Sequence, residues 1–281
     1  MFLGTKVIGY IVNMESTGQD PGIHVANYPR SPEAEAFRSL RTNLELLGTK
    51  QVIKRILISS GSAAEGKTTI AANLAVSLAH TGKKVLLVDG DLRRPRVHHL
   101  TGITNQVGLS DLVNGVETVE PSLFFQQMEN VPNLFILPSG SLPSNPAELL
   151  GSDRMRRLLS KLDATNDFIV IDSPPLLVAD PQILSTMVDG ILLVMVPGKT
   201  RTDVVHALKE QIHNTGVRLL GVAFNRLIRG THRGYSGYPY YYYPYYYSSD
   251  YYNTTDGKDG QGHSKHRRKE TSHSVHEENQ E

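Results

Sequence analysis

The sequence of 281 residues contains no cysteine, which excludes disulfide bonds and thiol chemistry. Its formal net charge of +1 gives no overall case for nucleic acid or an anionic lipid surface as a partner. The longest apolar runs, such as ILLVMV from Ile191, fall far short of the ~20 residues that a membrane helix needs. The opening MFLGTKVIGY lacks the layout of a signal peptide. We therefore expect neither a membrane span nor a disulfide framework.

Composition changes sharply near Arg229, where aliphatic residues give way to Gly, Tyr, Pro, Ser, Asp, His and Lys. A segment with so few aliphatics cannot bury enough surface to offset its chain entropy. We predict an N-terminal segment at 1–50, a folded core at 51–229 and a disordered tail at 230–281. Eleven of the thirteen tyrosines lie in the tail, within 235–252, with no aliphatic residue among them. They are Tyr235, Tyr238, Tyr240, Tyr241, Tyr242, Tyr243, Tyr245, Tyr246, Tyr247, Tyr251 and Tyr252.

The folded part alternates short aliphatic runs with helical patterns, which predicts βαβ units. Near-continuous apolar runs suit strands that are buried on both faces of a parallel sheet. The predicted strands are RILISS, KVLLVD, NLFILPSG, FIVIDSPP, GILLVMVPG and RLLGVAFN. The predicted helices lie in SPEAEAFRSLRTNLELLG, KTTIAANLAVSLAHTG, SNPAELLGSDRMRRLLSKL and TDVVHALKEQIHNTG. This pattern predicts an α/β fold with a mostly parallel, doubly wound sheet and a ligand site at the carboxyl ends of its strands.

The run ILISSGSAAEGKTT matches the phosphate-binding pattern G-x-x-x-x-G-K-[ST], directly after a predicted strand and before a predicted helix. Backbone N–H groups of such a loop cradle a polyphosphate. Lys67 would neutralise the β- and γ-phosphates, and the hydroxyl of Thr68 would bind Mg²⁺. The predicted nucleotide-binding residues are Gly61, Ser62, Ala63, Ala64, Glu65, Gly66, Lys67, Thr68 and Thr69.

Two other predicted strands end in carboxylates, with Asp89 and Asp91 in VLLVDGDLR and Asp172 in FIVIDSPP. Such a residue is often only a cap or a turn former. Three of them at the same edge of the sheet as the phosphate loop, however, favour a catalytic or metal-binding role. Phosphoryl transfer to a hydroxyl needs carboxylates that hold a metal and one that orients or deprotonates the acceptor.

These motifs resemble those of bacterial protein-tyrosine kinases of the capsule and exopolysaccharide type, which use a P-loop fold unrelated to eukaryotic kinases. In that family the P-loop is followed by D-x-D-x-R, matched by Asp89, Asp91 and Arg93, and by a Walker B strand ending D-S-P-P at Asp172. The segment LPSGSLPSNPAELL and the tyrosine cluster also match. One departure is visible, because the family often has Pro-Gly where this chain has Ala63-Ala64.

The resemblance implies ATP and Mg²⁺ as cofactors and assigns roles to the matched residues. Thr68 and Asp172, with Asp89, are implied as the magnesium shell. Asp89 is also implied to approach the acceptor tyrosine, with Asp91 assisting at the metal. Arg93 either stabilises the transferring charge or fixes its loop, and Lys67 acts on the phosphates. Asn225 resembles an adenine-reading asparagine, although a turn former is an equal alternative.

A charged strip formed by Glu35, Arg38 and Arg41 runs along the helix predicted before the P-loop. A solvated helix face would explain such a strip. However, E-x-x-R-x-x-R resembles the subunit-contact motif of the same kinase family, which implies a ring-shaped homo-oligomer. The tail of one subunit would then enter the site of its neighbour.

The resemblance also implies partners and a location. These are a membrane-embedded chain-length regulator that acts as activator, fused or separate, and a tyrosine phosphatase; no nucleic acid is implied. The opening FLGTKVIGYIV resembles the stretch that follows the second membrane helix in fused versions. The expected location is cytoplasmic, at the inner face of the plasma membrane.

Two other functions compete with a kinase. A partitioning or division type ATPase of the same superfamily usually carries a second lysine where this chain has Ser62, and it has no tyrosine tail. An interaction protein with an adhesive tail leaves the acidic strand ends unexplained.

The basic run LRRPRVHH after Asp91 is open to two interpretations. Its arginines could attract phosphate, free or on a phosphorylated tail, or the run could be a plain exposed loop. His98 and His99 are assigned no catalytic role.

Overall fold

The computed structural model describes residues 4–14, 23–49, 51–115 and 121–228. The eleven tyrosines predicted as phosphorylation sites, at 235–252, lie outside the described residues. Across the described ranges, none of the helices has both the length and the apolar character needed to cross a membrane.

A single sheet with strand order β1-β8-β7-β2-β6-β3-β5-β4 forms the centre of the described part of the chain. The strands are parallel except for the short β4, which pairs antiparallel with β5. Their bounds are β1 (Val7–Val12), β2 (Arg55–Ser60), β3 (Val85–Asp89), β4 (Gln126–Gln127), β5 (Leu134–Leu137), β6 (Phe168–Asp172), β7 (Gly190–Met195) and β8 (Leu219–Leu227). The mostly parallel α/β sheet predicted from the sequence is confirmed.

Helices connect the strands and cover the sheet. Their bounds are α1 (His24–Asn27), α2 (Pro32–Gly48), α3 (Lys67–Ala79), α4 (Val97–Thr101), α5 (Leu109–Asn114), α6 (Pro121–Phe124), α7 (Pro146–Gly151), α8 (Asp153–Asp163), α9 (Ala179–Ser185) and α10 (Thr202–Thr215).

The central strand β2 is buried on both faces, which explains its continuous apolar sequence. Ile56 and Ile58 belong to a core cluster with residues of α2 and α3. Leu57, between them in sequence, belongs to a second cluster with residues of α8 and α10. Alternate side chains of a strand point to opposite faces, so the sheet carries one apolar layer on each side.

The short elements β4, α1, α4, α5, α6 and α9 were not predicted from the sequence, and two further differences concern longer elements. The helix predicted in SNPAELLGSDRMRRLLSKL is two helices, because Ser152 adopts an extended conformation and its hydroxyl caps α8 by accepting a hydrogen bond from the Met155 N–H at 3.2 Å. Strand β1 was not predicted, and it pairs with β8 at the edge of the sheet. Neither difference moves the strand ends that carry the predicted site.

Candidate active site

The phosphate loop connects the end of β2 at Ser60 to the start of α3 at Lys67. Gly66 has φ +90°, a left-handed conformation that favours glycine. A Cβ atom at this position would lie 2.2 Å from Nδ2 of Asn225. The second glycine of the motif is therefore required both by its backbone conformation and by the close approach of Asn225.

Glu65 holds the loop from inside. Its carboxylate is fully buried, where it accepts hydrogen bonds from the Ser62 N–H at 3.0 Å and from the Thr200 hydroxyl at 2.5 Å. The second contact joins the phosphate loop to the segment between β7 and α10. The sequence predicted Glu65 only as a loop residue in a nucleotide site, and its structural role depends on a residue 135 positions away.

Asn225 supports the same loop from β8. Its buried side chain donates from Nδ2 to the carbonyl oxygen of Glu65 at 2.8 Å. The pairing of β8 with β1 shifts register just after Phe224, and Arg226 has φ +56°. Such bulges re-aim side chains next to active sites. Adenine reading by Asn225 stays a prediction, whereas its support of the P-loop is visible.

Ala64 occupies the position where the kinase family often has glycine, and its φ is +59°. A left-handed conformation costs an alanine roughly 1–2 kcal/mol. We therefore expect Ala64→Gly to raise the free energy of unfolding of the nucleotide-free protein by about 0.5–1 kcal/mol, after the added flexibility of the unfolded chain is subtracted. Urea unfolding at equilibrium measures the change.

The neighbouring Ala63 provides a matched control, because it is also exposed but is not among the described residues with positive φ. Ala63→Gly gains no relief of strain and adds flexibility to the unfolded chain, so we expect it to lower the free energy of unfolding. Equal effects of the two substitutions would contradict the strain at Ala64.

Asp172, at the end of β6, is a buried acidic group beside the loop. The Thr68 hydroxyl hydrogen bonds to this carboxylate. No donor within the described residues reaches its buried Oδ1 atom. Burial raises the pKa of Asp172 to about 7, and the nearby Lys67 ammonium opposes the rise. A buried oxygen without a partner is costly in the nucleotide-free protein and is suited to binding a cation or its water.

Asp89 lies beside Asp172, because the two are register partners on the neighbouring parallel strands β3 and β6. Both oxygens of Asp89 are occupied by its own loop. Oδ1 accepts from the Asp91 N–H at 3.2 Å, and Oδ2 accepts from the Arg96 and Val97 N–H groups at 3.1 and 3.0 Å. Burial, followed by the charge of Asp172, raises the pKa of Asp89 well above its usual range. In this structure Asp89 organises the loop that follows β3.

Asp91 is only partly buried, in contrast to Asp89. Its Oδ1 atom accepts a hydrogen bond from the Arg94 N–H at 3.0 Å. Burial raises the pKa of Asp91, while the Lys67 ammonium pulls it down. Asp91 is thus the acidic residue of this loop that combines solvent access with proximity to the P-loop lysine.

Arg93 binds Asp180 rather than pointing at the P-loop residues. Its Nε and Nη2 atoms donate to the two oxygens of the fully buried Asp180 carboxylate at 2.7 and 2.9 Å. This bidentate contact ties the β3 loop to α9 and raises the pKa of the guanidinium. Of the two roles that the sequence left open, loop fixation has a contact in the structure, and action on the transferring charge stays a prediction.

Two serines lock the end of β6 to the end of β2. The Ser173 hydroxyl donates to the carbonyl of Ile58 at 2.9 Å, and the Ser59 hydroxyl donates to the carbonyl of Pro174 at 2.8 Å. Both serines are fully buried. These crossed contacts fix Asp172 relative to the P-loop. Their partners are 115 residues apart in sequence, so sequence reasoning did not find them.

The residues present fit Mg²⁺ as part of a nucleotide complex. Within the described residues, no group of three or more His, Cys, Asp or Glu side chains could hold a metal. Mg²⁺ bound with nucleotides, however, typically uses one or two protein oxygens and takes its other ligands from water and phosphates. The Thr68 hydroxyl and the unpaired Oδ1 of Asp172 provide such a pair.

The predicted oligomerisation residues lie on α2, apart from the P-loop. Arg38 pairs with Glu35 and also donates to the carbonyl of Pro29. Arg41 donates to the carbonyl of Ser77 on α3 at 2.8 Å. Each of the three side chains therefore contacts other residues of its own chain. A subunit contact by these residues stays a prediction.

Comparison with known proteins gives a consistent assignment. A family model described as an AAA domain matches residues 53–219. The chain is 40% identical over 212 residues to the tyrosine-protein kinase YwqD of Bacillus subtilis, covering 74% of this chain and 88% of YwqD. The solved kinase domain of the Escherichia coli tyrosine kinase ETK matches with a TM-score of 0.75 at 28% identity, covering 85% of this chain and 98% of that domain.

A more distant match supports the nucleotide site. The septum site-determining protein MinD of Pyrococcus horikoshii, solved in complex with Mg-ADP, matches with a TM-score of 0.52 at 27% identity. That match covers 63% of this chain and 72% of MinD. The division type ATPases thus share the P-loop fold, but the likeness extends over a smaller part of the chain than the likeness to the tyrosine kinases.

Proposed function

Because this chain carries an AAA domain and belongs to the bacterial tyrosine-protein kinases, we propose that it transfers the γ-phosphate of ATP to tyrosines in the C-terminal cluster of a neighbouring copy. The observation that carries the proposal is the grouping of Lys67 and Thr68 with two carboxylates of different exposure, Asp91 and Asp172. A nucleotide switch needs the lysine, the threonine and the buried carboxylate. A partly exposed second carboxylate adds a group that an acceptor hydroxyl can reach.

Each residue of this group has a separate task. The loop N–H groups and Lys67 hold the phosphates and neutralise their charge. Thr68 and Asp172 would hold Mg²⁺, which would neutralise charge on the phosphates. The acceptor phenol has a reference pKa of about 10, so a carboxylate that shares its proton during attack lowers the barrier. Asp91 is accessible for this task, and Asp89 holds the backbone that positions Asp91.

We propose that Glu35, Arg38 and Arg41 form the contact between subunits of a ring. Support comes from the family motif and from their grouping on one helix, where Arg38 remains partly exposed. If extended, the tail from 230 to 252 spans roughly 70–80 Å, at about 3.3–3.6 Å per residue. Length alone does not distinguish a subunit's own site from the next one.

We further propose that the kinase regulates capsular or exopolysaccharide synthesis and export, as the family resemblance implies. A membrane-embedded chain-length regulator would activate it at the cytoplasmic face of the plasma membrane, and a tyrosine phosphatase would reverse the modification. The family resemblance supports the proposed regulator, phosphatase and location, whereas the proposed catalytic role is supported by the chain's own residues.

Mixing two defective variants tests transfer between copies. One carries phenylalanine at all eleven tail tyrosines but keeps the P-loop; the other carries Lys67→Met but keeps the tyrosines. After incubation with Mg-ATP and the cytoplasmic segment of the regulator, we expect phosphotyrosine on the tail of the Lys67→Met chain. Mass spectrometry identifies which chain is modified, because the two tails differ in mass.

Each variant incubated alone is the control and should give almost no phosphotyrosine. Phosphorylation of the wild-type chain without any in the mixture would show transfer within one subunit. No phosphotyrosine on the wild-type chain, with ATP hydrolysis intact, would favour the division type ATPase.

A further inference from the structure

A cavity of about 640 Å³ opens beside the loop that carries Asp89 and Asp91, and it takes no part in the proposed transfer. Its lining residues are Arg94, Pro95, Arg96, His99 and Leu100. The volume falls within the range of about 300–1,000 Å³ that is typical of small-ligand pockets. The basic run that the sequence left open between a phosphate site and a plain loop therefore lines a concave surface.

The two arginine side chains of this cavity are not needed to build the loop. The loop uses their backbone instead, since the Arg94 N–H donates to Asp91 and the Arg96 N–H donates to Asp89. Both side chains are exposed, and within the described ranges neither guanidinium forms an ion pair with a carboxylate. Arg93, one residue earlier, is by contrast committed to Asp180. Two guanidinium groups thus remain available to a ligand.

We propose that this cavity binds a phosphotyrosine of the tail that the kinase has already modified, an inference that rests on the proposed function. Guanidinium groups bind phosphate oxygens in pairs of parallel hydrogen bonds. Pro95 and Leu100 give the phenyl ring an apolar surface, and the His99 ring adds an aromatic one. Charge, size and the mixed lining together suit an aryl phosphate better than a bare anion.

The position of the cavity gives this binding a use. Arg94 follows Asp91 by three residues on the same loop, so a phosphotyrosine held here keeps the rest of its tail beside the acidic group. Neighbouring tyrosines in the cluster are separated by one to four positions, and an extended chain advances about 3.3–3.6 Å per residue. Retention of one product would therefore present the next phenol to Asp91.

Binding of a labelled peptide tests the site without any catalysis. The probe is a fluorescent peptide with the sequence of 237–247 carrying one phosphotyrosine, compared with the same peptide unphosphorylated. Fluorescence anisotropy with the full, dephosphorylated chain and no ATP should show at least about 10-fold tighter binding of the phosphopeptide, since charge-assisted bonds to two arginines are lost with the phosphate. Arg94→Ala/Arg96→Ala should remove that preference.

Arg156→Ala/Arg157→Ala is the matched control, because it removes two exposed, adjacent arginines from α8 and leaves the cavity intact. This control should keep the preference for the phosphopeptide. Arg94→Lys/Arg96→Lys keeps both charges but not the planar donors, and it should bind with intermediate affinity. Thermal unfolding of each variant shows whether the fold is retained.

Three results would overturn the inference: equal affinity for both peptides, equal loss in the two double alanine variants, or inorganic phosphate competing as well as phenyl phosphate. Binding to phosphatidylglycerol vesicles without binding to the phosphopeptide would assign the cavity to a membrane surface instead. The assay contains no ATP, so its failure leaves the kinase proposal standing, and failure of the kinase assay leaves the binding result interpretable.

Discussion

Replacing Lys67 with methionine is expected to lower the rate of tyrosine phosphorylation by about 1,000-fold or more, a loss typical of removing a main charge-stabilising group from a transition state. Lys67 is buried at the start of α3, and its charge acts on both Asp91 and Asp172. Methionine has a similar length without the charge, so the loop keeps its packing. Quantitative mass spectrometry of the tail after incubation with Mg-ATP measures the rate.

The same substitution should also weaken the binding of Mg-ATP, because two carboxylates would face the phosphates without the neighbouring ammonium. Calorimetric titration with Mg-ATP checks this part. Lys161→Met is the matched control. Lys161 is exposed on α8, far along the chain from the loop, and its substitution removes the same charge. Comparable rates in the two variants would contradict the role of Lys67 as the phosphate-binding lysine.

The sequence was sufficient to predict the sheet and the edge at which the site lies. Strand β2 was predicted at its observed bounds, because an apolar run that ends at a glycine-rich loop has few other interpretations. Strand β1 escaped prediction because it is an edge strand, whose place depends on pairing with β8, about 210 positions later in the chain. The break at Ser152 escaped because a helix pattern continues on both sides of it.

The sequence predicted a set of site residues, but the contacts of these residues depend on distant partners. Asp89 and Asp172 were both expected in the magnesium shell, with Asp89 also expected to approach the acceptor tyrosine, and the structure shows that their contacts differ. Asp89 has its oxygens occupied by backbone N–H groups, whereas Asp172 keeps a buried oxygen unpaired within the described residues. The pair Arg93 and Asp180 is separated by 87 positions. No periodicity or spacing encodes such pairs, because tertiary packing creates them.

Asp172→Asn is expected to make the nucleotide-free protein more stable and the enzyme inactive. The pKa of Asp172 is about 7 in the folded protein, against an ordinary value of 3.8. Folding therefore favours the protonated carboxyl, and the stability that protonation provides is lost as pH rises from about 4 through 7. An asparagine carries no charge at any pH, so it avoids this loss.

At pH 8 we expect the free energy of unfolding of the variant to exceed that of the wild type by about 2 kcal/mol. This value is smaller than the free energy that corresponds to the full pKa difference, because the introduced amide meets an imperfect partner in Thr68. The gap should shrink as pH falls from 7 to below 4, where Asp172 becomes protonated in the unfolded as well as the folded state. Urea unfolding across this pH range, without nucleotide or Mg²⁺, measures it. A difference in free energy of unfolding that does not change with pH would show that the ionisation of Asp172 is not its cause.

Asp203→Asn is expected to lower the free energy of unfolding instead of raising it. The exposed Asp203 has its pKa lowered by its pairing with Arg201, and the substitution removes this favourable ion pair. Only the Asp172 variant should also lose magnesium-dependent nucleotide binding and tyrosine phosphorylation, since an amide oxygen is a weaker ligand for Mg²⁺ than a carboxylate. A gain in stability that accompanies a loss of activity is typical of a group retained for function. Asp172 would then be an acidic residue whose burial is costly in the empty protein and offset when Mg-ATP binds.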